Sequence, residues 1–193
     1  MTVSHNPAPF MEESPDDQDK FLSFKVGEEN YGIGIDRVQE IIGMLPVTRI
    51  PGTSAVIRGV INLRGKVIPI IDLRIRFGMP PREKTIQPCI VITRQFDGTE
   101  HTLIGLIVDE VPEVLDGKDG QMERPAFIDK KIMSPYVVGL WKKDKDITIR
   151  IDIDKLLSEI ERASLHQMSV DSAEADGVFN TRDDASEGFK KDE

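Results

Sequence analysis

The chain has 193 residues, of which 39% are hydrophobic, and a formal net charge of −9 at pH 7. This length suits one domain or two small ones closely joined, and no apolar stretch reaches the ~20 residues of a membrane helix. The acidic N-terminus is unlike a cationic signal peptide, so we expect a cytoplasmic protein with no direct membrane insertion. Cys89 is the only cysteine, which excludes an internal disulfide and a cysteine-rich metal site.

The acidity is concentrated at the two ends of the chain. Residues 1–20 hold five acids against one base, and residues 161–193 hold nine acids against four bases. Residues 21–160 are balanced, with 20 acids and 20 bases. Because both ends are also poor in apolar residues, they predict a disordered N-terminal tail at 1–20 and a helix end followed by a disordered acidic tail at 161–193.

Within the balanced core, charges of opposite sign occupy different segments. Nine bases face two acids between residues 49 and 94, and nine acids face two bases between residues 97 and 129. The basic segment has one aromatic residue and no nucleic-acid-binding motif, so we expect no nucleic-acid partner. Two faces of opposite sign suit docking between proteins, although solvated loops would give the same pattern.

The predicted elements along the chain are mostly short strands. Residues 22–26 and 147–154 alternate between apolar and polar, which predicts half-buried strands. Further strands are predicted by the apolar runs at 67–73, 89–93 and 103–108. Asp97-Gly98 predicts a tight hairpin turn between two of these strands.

Three local signals refine this outline. Asn62-Leu63-Arg64-Gly65 predicts a hairpin tip, in which Gly65 tolerates a positive φ. Pro69 within an apolar run predicts an edge strand or a bulge. Helical periodicity near the end, carried by Ile153, Leu156, Leu157 and Ile160, predicts a short C-terminal helix.

Two pairs of segments resemble each other without gaps. Residues 32–42 align with 105–115, and the spacing from Gly59 to Asp72 equals that from Gly139 to Asp152. The core is therefore interpreted as two copies of one small β unit, with chance similarity of apolar strands as the alternative. Two units that share an interface bury more apolar surface than one unit of ~60–70 residues alone.

No catalytic constellation is recognisable. His5 and His166 lie in the tails, and His101 stands alone beside the predicted hairpin. The chain has no phosphate-binding loop of the GxxxxGK[ST] type and no GxSxG nucleophile elbow. We therefore expect no enzyme, no cofactor, no bound metal and no small-molecule substrate.

Several motifs together resemble the CheW family of chemotaxis coupling proteins. They include Val38-Gln39-Glu40-Ile41, Asn62-Leu63-Arg64-Gly65 and Pro69-Ile70-Ile71-Asp72-Leu73-Arg74, with a looser match at residues 105–111 and 151–157. The resemblance covers residues 21–160. It implies an all-β fold of two SH3-like β-barrel subdomains, roughly at 30–95 and 97–155, with a short C-terminal helix and disordered acidic tails.

The same resemblance implies a non-catalytic scaffold. Such an adaptor couples the cytoplasmic tips of chemoreceptors to the regulatory domain of the CheA histidine kinase, and it reaches membrane-associated receptor arrays through these partners. The alternatives are a fragment of a two-component regulator of the CheV type, whose receiver domain the tail after residue 160 is too short to supply, and a generic protein-interaction adaptor.

The resemblance also assigns contact residues. The receptor-binding positions are Val38, Gly59, Arg64, Val111 and Val114. The kinase-binding positions are Glu40, Arg49 and Val67. From the residues alone, Val38 and Val111 are equally compatible with a place in the core, while Glu40 and Arg64 are expected to be solvated unless a partner covers them.

Overall fold

The computed structural model describes residues 19–80, 87–97, 100–123, 134–158 and 161–163. Its strands are β1 (Lys20–Val26), β2 (Glu29–Gly34), β3 (Val38–Gly43), β4 (Ile57–Leu63), β5 (Lys66–Asp72), β6 (Cys89–Asp97), β7 (Glu100–Val108), β8 (Glu110–Asp116), β9 (Gln121–Glu123), β10 (Val137–Lys143) and β11 (Asp146–Ile151). One short helix, α1 (Leu73–Arg76), follows β5, and 3-10 turns occur at Ile35–Arg37, Gly117–Asp119 and Ile153–Lys155. None of the helices in the described ranges is long and apolar enough to cross a membrane.

The strands form two sheets, which confirms the predicted all-β class. The five-stranded sheet has the order β3-β6-β7-β5-β4, and the six-stranded sheet has the order β8-β1-β2-β11-β10-β9. Most neighbouring strands are antiparallel, but β5 pairs with β7 and β2 pairs with β11 in parallel. The parallel pairs join segments that are distant in sequence, so each sheet is closed by contacts that no local hairpin provides.

The sequence repeat corresponds to a structural repeat. In the β4–β5 hairpin the register shifts between Ile57 and Gly59, and in the β10–β11 hairpin it shifts between Val137 and Gly139. Each hairpin ends in an aspartate whose carboxylate accepts a backbone hydrogen bond in the turn that follows: Asp72 from Arg74 N and Asp152 from Asp154 N, both at 3.0 Å. The two copies therefore share their bulge, their hairpin and their terminal cap.

The chain passes between the sheets at equivalent points of the two copies. It leaves the six-stranded sheet after β2 to enter β3, and it leaves the five-stranded sheet after β7 to enter β8. As a result, β1 and β2 pair with the C-terminal strands, and β7 pairs with β5 and β6. Grouping the strands by sheet therefore does not reproduce the predicted barrel boundaries of 30–95 and 97–155. Sequence similarity between the copies does not reveal which sheet the strands on either side of each crossover join.

The larger core cluster draws on both sheets. From the six-stranded sheet it takes Leu22, Phe24, Val26, Tyr31, Ile33 and Ile151, and from the five-stranded sheet Ile57, Ile71, Val91, Ile104, Leu106 and Val108. A smaller cluster lies within the five-stranded sheet and contains Ile61, Ile68, Ile70, Ile90, Ile92 and Ile107. The two small units fold together because each sheet buries apolar side chains against the other. Apolar area removed from water stabilises the folded state by about 25 cal/mol per Å².

Two local expectations differ from the structure. β1 was predicted to be half-buried, but it lies between β8 and β2, and even Ser23 on it is buried. β5 lies between β4 and β7 rather than at an edge. Pro69 is accommodated because the pairing of β5 with β7 begins only at Ile70, so the missing N–H of the proline leaves no ladder bond unmade there.

A buried ion pair ties the second crossover to both sheets. The Arg74 guanidinium donates to both carboxylate oxygens of Asp109 at 2.7–3.1 Å, and both side chains are more than nine-tenths buried. Asp109 also accepts a 2.7 Å hydrogen bond from Gly27 N, in the β1–β2 turn of the six-stranded sheet. Arg74 donates further to the carbonyl of Pro80. All three guanidinium nitrogens of Arg74 and both carboxylate oxygens of Asp109 are thus hydrogen-bonded, as the burial of two charges requires.

The first crossover has a related ion pair with the charges exchanged. Asp154 occupies the position equivalent to Arg74, and its carboxylate accepts hydrogen bonds from Arg37 at 2.8–3.1 Å. It also accepts a 2.8 Å bond from Phe96 N in the five-stranded sheet. Arg37 in turn lies over the Phe96 ring. Both crossovers are therefore held by an arginine–aspartate pair between the sheets.

The C-terminal helix begins later than its periodicity predicts. Ile153–Lys155 form a 3-10 turn, and the described helical residues are 161–163. Ser158 and Glu161 form a reciprocal capping box, in which Ser158 N donates to the Glu161 carboxylate at 2.8 Å and Glu161 N donates to Ser158 Oγ at 3.3 Å. The apolar residues Ile153, Leu156 and Leu157 are buried as expected, but a cap rather than a continued helix follows them.

We predict that Asp109→Asn lowers the free energy of unfolding by about 3 kcal/mol, since it leaves the Arg74 charge buried without its counter-charge. Urea denaturation followed by circular dichroism measures this. The control is Asp36→Asn, at the equivalent position of the other copy, where the aspartate is 46% exposed and pairs with Arg37 at the surface. A loss of similar size in both variants would contradict the role given to the buried pair.

Candidate functional site

The tip of the β4–β5 hairpin has the backbone that its sequence predicts. Arg64 and Gly65 have φ values of +53° and +85°, typical of a type I′ turn. Asn62 Oδ1 accepts a hydrogen bond from Gly65 N at 2.9 Å and closes the turn. The arginine is thus presented from a rigid tip rather than from a loose loop.

Arg64 is paired rather than solvated, contrary to the expectation from the residues alone. Its guanidinium donates to both carboxylate oxygens of Glu40 at 2.9–3.0 Å. The side chain of Arg64 is 76% exposed and that of Glu40 is 24% exposed. Because Glu40 lies on β3 and Arg64 adjoins β4, the pair joins the two outer strands of the five-stranded sheet. One predicted receptor contact and one predicted kinase contact therefore touch each other.

Gly59 is required by the backbone. It is buried in the β4 bulge, with a φ of +144°, a region that other residues rarely adopt. A Cβ at this position would collide with the carbonyl oxygen of Thr48, whose backbone pairs with Val60 through two hydrogen bonds of 2.8 Å. Gly59 thereby positions the segment that carries the exposed Arg49.

The three valines of the predicted receptor set lie at or after the crossovers. Val38 begins β3 and Val111 lies in β8, and both are half-buried against the larger core cluster. A place in the core and a contact with a receptor are therefore compatible roles for Val38 and Val111, since each side chain is only partly buried. Val114 on β8 is 49% exposed and lies opposite Leu22 of β1.

The outer face of the β4–β5 hairpin carries the remaining kinase candidate. Val67 is 46% exposed and lies opposite Asn62. The same hairpin carries two exposed cations that were not among the predicted contact residues, Arg58 on β4 and Lys66 on β5. Their signal was the absence of any acid between residues 43 and 71, a stretch that contains four bases.

Among the described residues, no group of three or more histidine, cysteine, aspartate or glutamate side chains is placed to hold a metal ion. An open depression of about 400 Å³ is lined by Arg49, Ile50, Pro51, Gly52, Thr53, Ser54, Ala55 and Ile57, without a carboxylate or an imidazole. Burial, followed by the nearby Glu29 charge, raises the pKa of Tyr31 to about 12, so its phenol is not poised to exchange protons near neutrality.

The loop that lines this depression is fixed from the C-terminal side by Glu161. The buried Glu161 carboxylate accepts hydrogen bonds from Ser54 Oγ at 3.2 Å and from Arg76 on α1 at 3.3 Å, besides those from Ser158. Burial raises the pKa of Glu161, but these hydrogen bonds and the Arg76 charge outweigh it and hold the pKa below its usual value. We call this arrangement the Glu161 clasp; it joins the C-terminal segment, α1 and the loop at Ser54.

A family model for the CheW-like domain matches residues 20–161, which spans both sheets and ends at the clasp. The chain belongs to the CheW-like family. It is 40% identical over 147 residues to the chemotaxis protein CheW of Klebsiella aerogenes, an alignment that covers 75% of this chain and 84% of that protein. It is 32% identical over 142 residues to a probable chemotaxis protein CheW of Rhizobium etli, covering 74% of this chain and 89% of the relative.

A solved structure shares the fold. The crystal structure of the scaffolding protein TtCheW from Thermoanaerobacter tengcongensis matches with a TM-score of 0.63 and 36% identity, covering 75% of this chain and 95% of that chain. The predicted membership in the CheW-like family and the predicted role of an adaptor in chemotaxis are confirmed by these relatives. The individual contact residues remain predictions.

We predict that Gly59→Ala destabilises the protein by about 2 kcal/mol, because it forces an alanine into a strained φ and against Thr48. Thermal unfolding monitored by circular dichroism checks this. Gly43→Ala is the control, since no atom lies within 4 Å of a Cβ built at Gly43. Unchanged stability of Gly59→Ala would show that this glycine is not needed for the backbone.

We predict a pH-dependent contribution from the Glu161 clasp. A carboxylate whose pKa is lowered by folding stabilises the fold above its unfolded pKa, and this stability is lost as pH falls through the folded pKa. The difference in unfolding free energy between the native chain and Glu161→Gln should thus be about 1–3 kcal/mol at neutral pH and shrink as the pH falls below the ordinary pKa range of a glutamate. Urea titrations over a descending series of pH values measure it, with Glu110→Gln as the surface control. A difference that does not change with pH would contradict the clasp.

Proposed function

We propose that this chain couples the cytoplasmic tips of chemoreceptors to the regulatory domain of the CheA histidine kinase, by binding both and without catalysing a reaction. Family membership supports the adaptor role. The proposal is further supported by the geometry of the predicted contacts, since Glu40 and Arg64 touch each other and Val67 lies on the same β4–β5 hairpin as Arg64. Its place of action is then the cytoplasm, at receptor arrays that it joins through its partners.

The receptor surface of this proposal is the junction between the sheets. Val38 and Val111 are equivalent positions of the two copies, and each combines an inward-packed part with an exposed part. An amphipathic helix that lies along a groove needs apolar anchors on both sides of it. Val114 extends the apolar surface along β8, and Arg64 supplies a charge at one end.

The kinase surface of this proposal is the neighbouring edge of the five-stranded sheet. It runs from Glu40 on β3 to Arg49 and Val67. An exposed valine among unpaired cations suits a partner surface with an apolar centre and an acidic rim, because charge complementarity steers the encounter while apolar burial stabilises the complex.

The Arg64–Glu40 pair lies where the two proposed surfaces meet. An exposed ion pair is worth only about 0–1 kcal/mol, so a partner can replace one of its halves at little cost. A receptor carboxylate that binds Arg64 would release Glu40 toward the kinase surface. The two docking events are thereby coupled through a contact that either partner can break.

The proposal is tested by a crossed pair of substitutions of equal chemistry. Val67→Asp should weaken binding to the CheA regulatory domain by at least roughly tenfold and leave receptor binding unchanged, because a buried charge without a partner is costly at an interface. Val114→Asp should do the reverse. Both valines are about half exposed, so neither change should unfold the protein.

Pull-down with the regulatory domain and co-sedimentation with receptor-containing membranes measure the two affinities, and circular dichroism confirms folding. If both variants lose both partners equally, the separation of the surfaces is wrong. If the unmodified chain binds neither partner, the proposed coupling function is wrong.

A further inference from the structure

The first hairpin has a surface with positive charge that the fold does not neutralise. We call Arg49, Arg58 and Lys66, with the outer side of β4 and β5, the basic hairpin face. Arg49, Arg58 and Lys66 are exposed, and within the ranges that the structure describes their side chains make no hydrogen bond or ion pair. The only acid of the β4–β5 hairpin, Asp72, is buried in the cap of α1.

The equivalent hairpin of the second copy pairs most of its cations. Lys142 pairs with Glu123 at 2.7 Å, and Lys143 pairs with Asp119 at 3.1 Å. Arg150 is half-buried over the Phe21 ring, 4.1 Å from its centroid. The remaining exposed cation, Lys145, stands between Asp144 and Asp146 in the sequence. In the first hairpin, by contrast, the exposed Arg58 and Lys66 have no exposed acid on the same hairpin.

The last described residues, 161–163, lie next to the loop that leads into this face. The Glu161 clasp bonds to Ser54, which is four residues from Arg58 and five from Arg49 along the chain. At ~3.3–3.6 Å per residue, Arg58 is within ~14 Å of Ser54, and the ten residues from Glu161 to Asp171 span up to ~33 Å. The first acid of the tail therefore reaches the face without strain.

The sequence beyond the clasp has the complementary charge. Residues 164–193 contain eight acids and three bases. A segment tethered this close has an effective concentration of order millimolar at the face, so even weak electrostatic attraction is sufficient for occupancy. The exposed apolar side chains on the same face, Val67 above all, add a surface on which the few apolar residues of the segment can pack.

We propose that the acidic segment 164–193 docks on the basic hairpin face of the same chain and competes there with the protein partner. The docking itself depends only on this chain, whereas the competition rests on the proposed function, which puts Arg49 and Val67 in the kinase contact. The segment acts as an electrostatic cover: it keeps the face occupied in the free protein, and a partner with a more favourable surface displaces it.

Zero-length carbodiimide cross-linking of the full-length chain, followed by mass spectrometry, tests the docking without any partner. The reagent joins a lysine amine to a carboxylate in direct contact, so Lys66 should cross-link to acids of residues 164–193. Lys145, an exposed lysine in the equivalent turn of the other hairpin, is the internal control and should give at least roughly fivefold fewer such links. The excess should disappear in high salt.

Two variants of the full-length chain sharpen the test. Arg58→Glu reverses a charge on the face and should reduce the Lys66 links severalfold, whereas Lys145→Glu makes the same charge change elsewhere and should not. Equal yields at Lys66 and Lys145, or no response to Arg58→Glu, would overturn the proposal. Cross-links that join isotopically heavy and light chains in a mixture would also overturn it, because the occupant would then be the tail of a second copy.

The competition is tested separately by neutralising tail acids in the full chain. Asp171→Asn, Glu174→Gln and Asp176→Asn together should raise the affinity for the CheA regulatory domain by roughly three- to tenfold, since less of the binding surface is then occupied. Unchanged affinity together with intact Lys66 cross-links would show that the tail docks without competing. Loss of all kinase binding by the native chain would instead refute the proposed function and leave the docking result standing.

Discussion

The geometry of this protein depends on two arginine–aspartate pairs that hold the crossovers between its sheets. Arg74–Asp109 is buried, and Arg37–Asp154 is partly buried at the equivalent point of the other copy. Each pair joins a crossover segment to the turn that follows a hairpin, and each carboxylate also accepts a backbone N–H from the opposite sheet or its β1–β2 turn. Because a buried charge tolerates little change in distance or angle, the pairs fix the relative orientation of the sheets. The junction that carries Val38 and Val111 inherits its shape from this constraint.

The proposed binding surfaces differ from the crossovers in whether their charged side chains have hydrogen-bond partners within the protein. The crossover charges are fully hydrogen-bonded, whereas the Arg64–Glu40 pair is exposed and the cations of the basic hairpin face have no partner in the described residues. The duplicated hairpin provides an internal comparison, since the second copy pairs Lys142 and Lys143 with the acids Glu123 and Asp119. The difference concentrates available charge on one edge of the five-stranded sheet, where the proposed kinase contact and the proposed tail docking coincide.

Parts of the site were predictable because they depend on short-range chemistry. The hairpin tip at residues 62–65 follows from the preference of asparagine and glycine for tight turns, and the need for Gly59 agrees with its repeated spacing in the two copies. The Arg64–Glu40 contact was not predictable, because it joins residues 24 positions apart on strands that are not neighbours in the sheet. The Glu161 clasp was missed for the same reason, since Ser54 lies 107 positions away.

The sequence by itself determined the all-β class, the duplicated unit, the acidic tails and the family, since alternation, turn residues and spaced motifs are local properties that survive without a partner strand. Only the tertiary structure decided that the first strand of each copy, β2 or β7, lies in the sheet of the other copy's hairpin, whereas β3 and β8 lie with the hairpin of their own copy. It also decided which charges are paired. Both outcomes depend on contacts between distant residues, and apolar strands of similar composition can pair in several orders until the packed core and the crossover ion pairs select one.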